Sequence, residues 1–359
     1  MVKTAAFLTL DWAWGTDPLQ PNGCAWYRCK LPMEQLQENH EWICGMGFPG
    51  ISDEFGLGLL VNNQKAVHGF GIVVLKLIMH KKVADFMDRA KELGQKIVVD
   101  IDDHFHGLSE SNMAYRATDP SRNPEQNRDH YFRIIENSDA IITSTPFLAD
   151  FHAARHENVH MIRNGIDIGR WSRRKDSSGR NPVVGWVGAT PWRSNDLETL
   201  APFFSKILRK NNMRFHHAGH TVNAPMAHDQ LEIDPRMCTA EPMRPILDYP
   251  KMFERIDVGI VPLSDVPFNR AKSYIKGLEY AAAGIPFVAA KAPEYVFLAE
   301  NGVGRVAGSA EEWEHHIGEL SDPKKRKSDV AKNLENLTQF SMSKTGEHWN
   351  RVFSSILGV

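Results

Sequence analysis

The sequence predicts an α/β chain made of two successive Rossmann-like domains. Three observations carry this. Short β-branched runs alternate with amphipathic stretches along the chain, the pattern of parallel strands covered on both faces. The rhythm breaks at the polar, basic, glycine-containing stretch 164–182 and restarts at Val183. A length of 359 residues is long for one ordinary domain and comfortable for two.

The elements follow in order. Ala5–Leu10 is a first buried strand; it faintly resembles a signal peptide, but Asp11 ends the apolar run and no cleavage site follows. Ala25–Glu38 is a helix with Leu31, Met33 and Leu36 on its apolar face. Gly71–Ile78 is a buried strand leading to a helix over Lys82–Leu93, and Lys96–Ile101 is a strand running into acidic residues. Ala140–Thr143 and Val159–Ile162 complete a first domain of residues 1–165. The second, 166–339, contains the strand Val183–Val187, a helix over Asp196–Lys210 and the strand Met213–His217. It continues with a helix near Ile246–Glu254, the strand Val258–Val261, a helix over Ala271–Ala283 and the strand Pro286–Ala290. Residues from about Glu311 to Leu357 are mostly helical. No internal repeat suggests a solenoid, and no run of about 18 apolar residues predicts a membrane span.

Composition excludes several classes. Charged residues are 24% and hydrophobic ones 42%, an ordinary soluble globular balance. The net charge of −2 excludes a broad histone-like basic surface, not a local phosphate site. Residues 1–165 sum to −5 and the remainder to +3, so the second half is the better home for an anionic ligand. Cys24, Cys29, Cys44 and Cys238 form no C-x-x-C pair, which argues against a zinc knuckle and for a reducing, cytoplasmic setting.

The most informative stretch runs from Asn269 through Lys272, Ser273, Tyr274, Lys276 and Glu279 to Gly284-Ile285-Pro286. It is a loop, a helix with a glutamate in its middle, a turn and a buried strand. The helix start suits a phosphate, and Lys272 adds a full charge there. Lys276, one turn on, is a second phosphate contact or a surface cation. Glu279 stands where a carboxylate can accept hydrogen bonds from a ribose diol.

Leu278-Glu279-Tyr280-Ala281-Ala282-Ala283-Gly284-Ile285-Pro286 resembles the donor-site motif of GT-B fold glycosyltransferases, especially the large retaining family four. Asp257–Pro262 resembles that family's Ala-Asp-Val-x-Val-x-Pro strand. Gly185–Gly188 with Arg193 resembles its phosphate-facing turn. Arg163–Asp167 resembles its domain junction, and Asn22–Arg28 occupies the place of the first domain's glycine loop. The resemblance implies two Rossmann-like domains facing each other across a cleft, with the last helix, about 340–359, crossing back to the first. It implies a nucleoside-diphosphate sugar donor held by Glu279, Lys272, the Ser273 and Tyr274 amides, Arg193, Gly188, Lys276, Asn269 and His220. The acceptor side falls to Gly23, Trp26, Tyr27 and Arg28. No metal is expected. Two features depart from the family: Ala271 stands where it has a sugar-contacting glutamate, and Asp100-Ile101-Asp102-Asp103 replaces its His-Asp. The latter form resembles a bacteriophage branch of GT-B enzymes, which implies a phage-encoded protein acting in host cytoplasm on hydroxymethylated pyrimidines in DNA. Arg170, Arg173, Arg174 and Lys175 are candidates for a basic rim. A small-molecule, glycan or protein acceptor fits the charge equally, and an epimerase or noncatalytic nucleotide-sugar binder stays open.

Strand alternation puts Asp100 and Asp102 on one face. Three readings stay open for them and Asp103: a general base activating an acceptor hydroxyl, hydroxyl binding without proton transfer, or a metal pair. Helix capping is a fourth for Asp103. His216 and His217 face opposite sides of a strand and are poor metal co-ligands. Trp12, Trp14, Trp26 and Tyr27 stack on an acceptor or simply anchor loops.

Overall fold

The computed structural model describes residues 2–61, 65–108, 110, 112, 114–115, 125, 127–173, 181–192 and 195–359. The chain divides into two compact units: Met1–Phe105 with Ala114–Gly165 and Met342–Val359, and His106–Met113 with Ile166–Ser341. Residues 174–180, within the sequence's linker candidate, lie outside the described residues. No described helix is long and apolar enough to cross a membrane.

The first unit is an eight-stranded sheet. Its strands are β1 (Thr4–Thr9), β2 (Ile43–Ser52), β3 (Gly56–Val61), β4 (Lys65–Val67), β5 (Ile72–Lys76), β6 (Lys96–Ile101), β7 (Ala140–Thr143) and β8 (Val159–Met161). They lie in the order β8-β7-β6-β5-β1-β2-β3-β4, parallel except for the antiparallel β2-β3-β4 meander at one edge. Every residue of β5 and β7 is buried, as a strand covered on both faces requires. The helices used below are α1 (Leu31–Asn39), α2 (Lys81–Glu92), α3 (Asn127–Glu136) and α4 (Pro146–Ala153). A π-helical turn, Trp26–Lys30, leads into α1 where the sequence suggested one uninterrupted helix. Such turns gather at functional sites, and this one aims Arg28 inward. The C-terminal helix Met342–Leu357 belongs to this unit. Its Trp349 and Phe353 pack on Phe7 of β1, each with ring centres 6.0 Å apart. Gly165 has to be a glycine, because a Cβ there would meet Thr345 Oγ1 of that helix at 2.4 Å.

The second unit is a six-stranded parallel sheet of β9 (Val183–Val187), β10 (Arg214–His220), β11 (Cys238–Pro242), β12 (Val258–Val261), β13 (Phe287–Ala290) and β14 (Arg305–Ala307). The order β11-β10-β9-β12-β13-β14 is the doubly wound order of dinucleotide-binding sheets. Helices α5 (Ala201–Lys210), α6 (Ile275–Ala282), α7 (Pro293–Glu300), α8 (Ala310–Glu319) and α9 (Pro323–Leu337) cover it. Val184, Phe204, Phe215, Ile260, Val288 and Ile317 are among the residues of its core.

In both units the strand order reverses at one place, and ligands of such sheets bind outside the carboxyl ends of the strands there. In the second unit that place is the end of β9 and β12, at Gly188 and Pro262. In the first it is the end of β1 and β5, at Asp11 and Lys76.

Candidate functional site

In the second unit the sequence motif folds as a short turn, Pro267–Arg270, followed by α6. Glu279 is 3% exposed. Tyr249 donates its hydroxyl to Glu279 Oε2 at 2.9 Å, Lys276 Nζ reaches the same oxygen at 2.7 Å, and Lys276 also donates to the Tyr249 oxygen. The carboxylate is therefore held in place by two donors rather than solvated as an ordinary helix glutamate. Lys276 thus serves Glu279 and Tyr249 in this structure. Tyr249 is itself fixed by Trp171, whose ring stands edge-on to Tyr249 and Phe253.

Lys272 lies just before α6 with its ammonium 4.2 Å from the centre of the Phe268 ring, a cation–π geometry. Ser273 is half-buried. The Tyr274 ring packs against Phe297 and Phe340, so only the backbone of Tyr274 can face a ligand at the helix start. Asn269 is a correction. It is 3% exposed and donates to Asp196 Oδ1 at 2.6 Å and to the Ser264 carbonyl at 3.0 Å. Asp196 Oδ1 also accepts the Ser264 amide at 2.9 Å. Asn269 uses its side-chain amide nitrogen to tie the loop after β12 to Asp196. Ala271 is buried at 1% exposure, so no carboxylate stands at that position. Arg193, Arg174 and Lys175 lie outside the described residues.

The turn after β9 is held by backbone proximity. Gly219 has φ +116°, and a Cβ on it would meet the Gly188 carbonyl oxygen at 2.6 Å. His217 Nε2 lies 3.0 Å from that same oxygen, and the Ala227 amide points at His217 Nδ1 at 3.4 Å. The imidazole is neutral, donating through Nε2 and accepting through Nδ1. Burial pushes its pKa down to about 4, against the opposing effect of the Gly188 carbonyl. His216, on the other face, lies near Thr239 and Glu241, so the two histidines share no ligand. His220 ends β10 with Nδ1 buried and without a hydrogen-bond partner among the described residues. Tyr280, beside Glu279, accepts the Val187 amide at 3.2 Å and donates to the Gly185 carbonyl at 3.1 Å, bracing the end of β9.

In the first unit the register aligns Thr9, Lys76 and Asp100 in one row across β1, β5 and β6. Asp100 is fully buried. Arg28 Nη2 reaches its Oδ2 at 2.7 Å, and Lys76 Nζ lies 3.2 Å from its Oδ1. Arg28 is 1% exposed and also donates to the Ile162 carbonyl at 2.7 Å and to Asn164 Oδ1 at 3.1 Å, with its guanidinium 5.2 Å from the Trp349 ring. Two expectations are corrected here. Asp100 is the carboxylate of an internal ion-pair network, not a proton-transfer group facing a substrate. Arg28, together with the buried Trp26 and Tyr27, lies inside the unit rather than on an acceptor-facing loop, which leaves Gly23 as the exposed one of these four residues.

Asp102 is the carboxylate at the edge. Lys76 Nζ pairs with it as well as with Asp100, so the same-face expectation from strand alternation is met. Burial alone would raise the Asp102 pKa, but the Lys76 charge and hydrogen bond and the Cys24 thiol hold it below the usual carboxylate range. Burial alone would lower the Lys76 pKa, but Asp102 and Asp100 lift it well above the usual ammonium value. Asp103 is half-buried beside the short turn Phe105–Gly107. Asp11, at the end of β1, accepts the Ala25 amide at 2.9 Å, and burial raises its pKa. Sequence reasoning missed Lys76, Asp11, Asp196 and Tyr249. Two of these carried a signal: Lys76 as a charge inside the apolar run Ile72–Ile78, and Asp11 as the residue that ends the run Ala5–Leu10.

One group of three metal-capable side chains lies close together among the described residues: His315, His316 and Glu319 on α8. Arg305 already holds Glu319 Oε2 at 2.5 Å and lies 3.5 Å from His316 Nδ1, so a cation occupies that position. All four cysteines are free thiols.

No family model matches the chain. A curated relative from Bacillus subtilis (strain 168), designated a teichuronic acid biosynthesis glycosyltransferase (TuaH), is 28% identical over 169 residues, 45% of this chain and 42% of that protein. The match thus spans less than half of that relative's length. Among solved structures, the sucrose-phosphate synthase of Thermosynechococcus elongatus aligns with a TM-score of 0.65 at 11% identity, over 99% of each chain. Anabaena HepE in complex with UDP-glucose aligns with a TM-score of 0.63 at 16% identity, over 98% of this chain and 99% of that one. The fold is that of the GT-B glycosyltransferases.

Proposed function

We propose that this chain is a glycosyltransferase that takes its sugar from a nucleoside-diphosphate sugar, a UDP-sugar foremost, and that its second unit holds the nucleotide. The observation that carries the reading is Glu279, a buried carboxylate fixed by Tyr249 and Lys276 on the helix that starts beside Lys272. A carboxylate held this way is preorganised to accept hydrogen bonds from two vicinal hydroxyls of a ribose. Lys272 and the start of α6 would face the diphosphate. Negative charge develops on that leaving group as the glycosidic bond breaks, so fixed positive charge there is worth more in the transition state than in the ground state. The UDP-glucose complex of HepE, on the same fold, supports a uridine nucleotide as the first one to test.

The acceptor side belongs to the first unit in this reading, where Asp11 and Asp102 stand at the strand ends. With Asp102 clamped by Lys76, its proposed role is to bind an acceptor hydroxyl or its proton in concert with that lysine. A DNA acceptor rests on the sequence resemblance alone, and none of the three relatives above is named for DNA.

Thermal-shift measurements with UDP, ADP, GDP and UDP-glucose test the donor reading. Saturating UDP is expected to stabilise the protein by about 2.7 kcal/mol at one hundred times its Kd. Glu279→Ala should abolish the shift. No shift with any nucleotide, or an equal shift in the variant, refutes the reading. NMR of the product's anomeric configuration then decides between retention and inversion.

A further inference from the structure

Beside the ends of β1 and β2 and the start of α2, the first unit holds a pocket of about 740 Å³, within the range of small-molecule sites. Its walls include Leu10, Trp12, Trp14, Met46, Phe48 and Ile51. Phe48 packs between the two tryptophans, with ring centres 5.4 Å from Trp12 and 5.6 Å from Trp14. Trp14 is 74% exposed, and Leu10 and Ile51 are also exposed. Exposed aromatic and aliphatic side chains gathered around one concavity are what a ligand site with an apolar floor presents.

The ionisable lining is sparse, and Lys82 is its one fixed charge among the described residues. His80 and Lys82 are the ionisable side chains among the described lining residues. Both stand at the start of α2. His80 caps the helix, its Nδ1 accepting the Lys82 amide at 3.2 Å. The first turn has no acidic residue and carries Lys81 and Lys82, where the helix dipole disfavours cations. Lys81 is balanced by Asp85, which also binds Arg133. Lys82 is exposed and makes no ion pair among the described residues. An apolar cavity with one unbalanced positive charge, Lys82, at its rim is complementary to a molecule with an apolar body and an anionic end. A sugar ring would also stack on tryptophan, but its hydroxyls would meet a wall with two polar side chains.

We propose that this pocket binds a single-chain lipid phosphate, the chain lying on Trp12, Trp14 and Phe48 and the phosphate at Lys82 and the first turn of α2. Naming that molecule as the glycosyl acceptor rests on the glycosyltransferase reading; the binding itself does not.

The test is a calorimetric titration of the full chain with farnesyl phosphate below its micellar concentration. Farnesol, inorganic phosphate and maltose are titrated as separate arms, and UDP is titrated into the same preparations. Farnesyl phosphate is expected to bind saturably, farnesol about tenfold more weakly, and phosphate and maltose not at all. Trp14→Ala and Lys82→Glu, both at exposed positions, should each weaken farnesyl phosphate about tenfold and leave UDP unchanged. Lys332→Glu, an exposed charge reversal in the other unit, should change neither. Equal affinity for farnesol, unchanged affinity in Trp14→Ala, or saturable maltose binding overturns the proposal. UDP binding by a protein that ignores farnesyl phosphate sinks the lipid site and leaves the donor reading standing. The converse result does the opposite.

Discussion

His217 gives the most quantitative test of the second unit. Its ring is 1% exposed and neutral, joining the Gly188 carbonyl to the Ala227 amide. Protonation would turn Nδ1 from an acceptor into a second donor facing the Ala227 N–H, inside a site where burial already disfavours charge. With a folded pKa of about 4 against 6.5 for the free group, the unfolded chain takes up the proton first. Stability must therefore fall as pH drops from 6.5 towards 4, and it is unaffected above that window. Between pH 7 and pH 5 the loss from this one group is about 2 kcal/mol. Burial also lowers the pKa of His216, His104, His160 and His316, so the wild-type slope contains them too. His217→Gln isolates the effect, because the amide can donate and accept at the same places without titrating. Urea unfolding at pH 7 and pH 5 should show the variant losing about 2 kcal/mol less than wild type across that interval. Equal losses in the two proteins, or an NMR titration of the His217 ring near pH 6.5, would refute the reasoning. Because the same ring holds the Gly188 turn, UDP affinity should weaken over the same window in wild type.

Other perturbations probe the remaining groups. Lys76→Met leaves Asp100 with Arg28 alone and Asp102 without its cation, and urea unfolding should show a loss of about 3 kcal/mol; an unchanged midpoint would remove the ion-pair network as a structural element. The Asp102 contribution to stability is present above about pH 3.8 and is lost as pH falls through its depressed folded pKa, so an acid titration of Asp102→Asn should lack the last part of the wild-type transition. Tyr280→Phe strips the Val187 amide and the Gly185 carbonyl of a partner and should cost about 2 kcal/mol, measured by the same unfolding experiment. Tyr249→Phe removes the hydroxyl that fixes Glu279 and should weaken UDP binding severalfold with little change in stability, as read by calorimetry; unaltered affinity would show that Glu279 needs no such support.

How much of this was legible in the sequence depends on the range of the signal. The central strands β1, β5, β6 and β9 declared themselves, since a strand buried on both faces is a continuous apolar run. The β2-β3-β4 meander did not, because Gly45, Gly47, Gly50, Gly56 and Gly58 interrupt its apolar pattern. Gly58 nonetheless belongs where it is, since a Cβ there would meet the Val67 carbonyl at 2.3 Å. The site shows the same division. Glu279 and Lys272 sit in one local segment whose spacing is its own signal. Asp100 and Asp102 were correctly placed on one face by the two-residue period, but the period says nothing of what lies opposite. Arg28 is 72 residues from Asp100 in sequence, and Lys76 is 26 from Asp102. Those distant partners decide that one carboxylate is sealed inside the unit and the other stands at its edge. Asn269 makes the converse case. A polar residue beside a phosphate-type helix start has two fates, facing a ligand or tying the loop that shapes the site. Asp196, 73 residues away, selects the second.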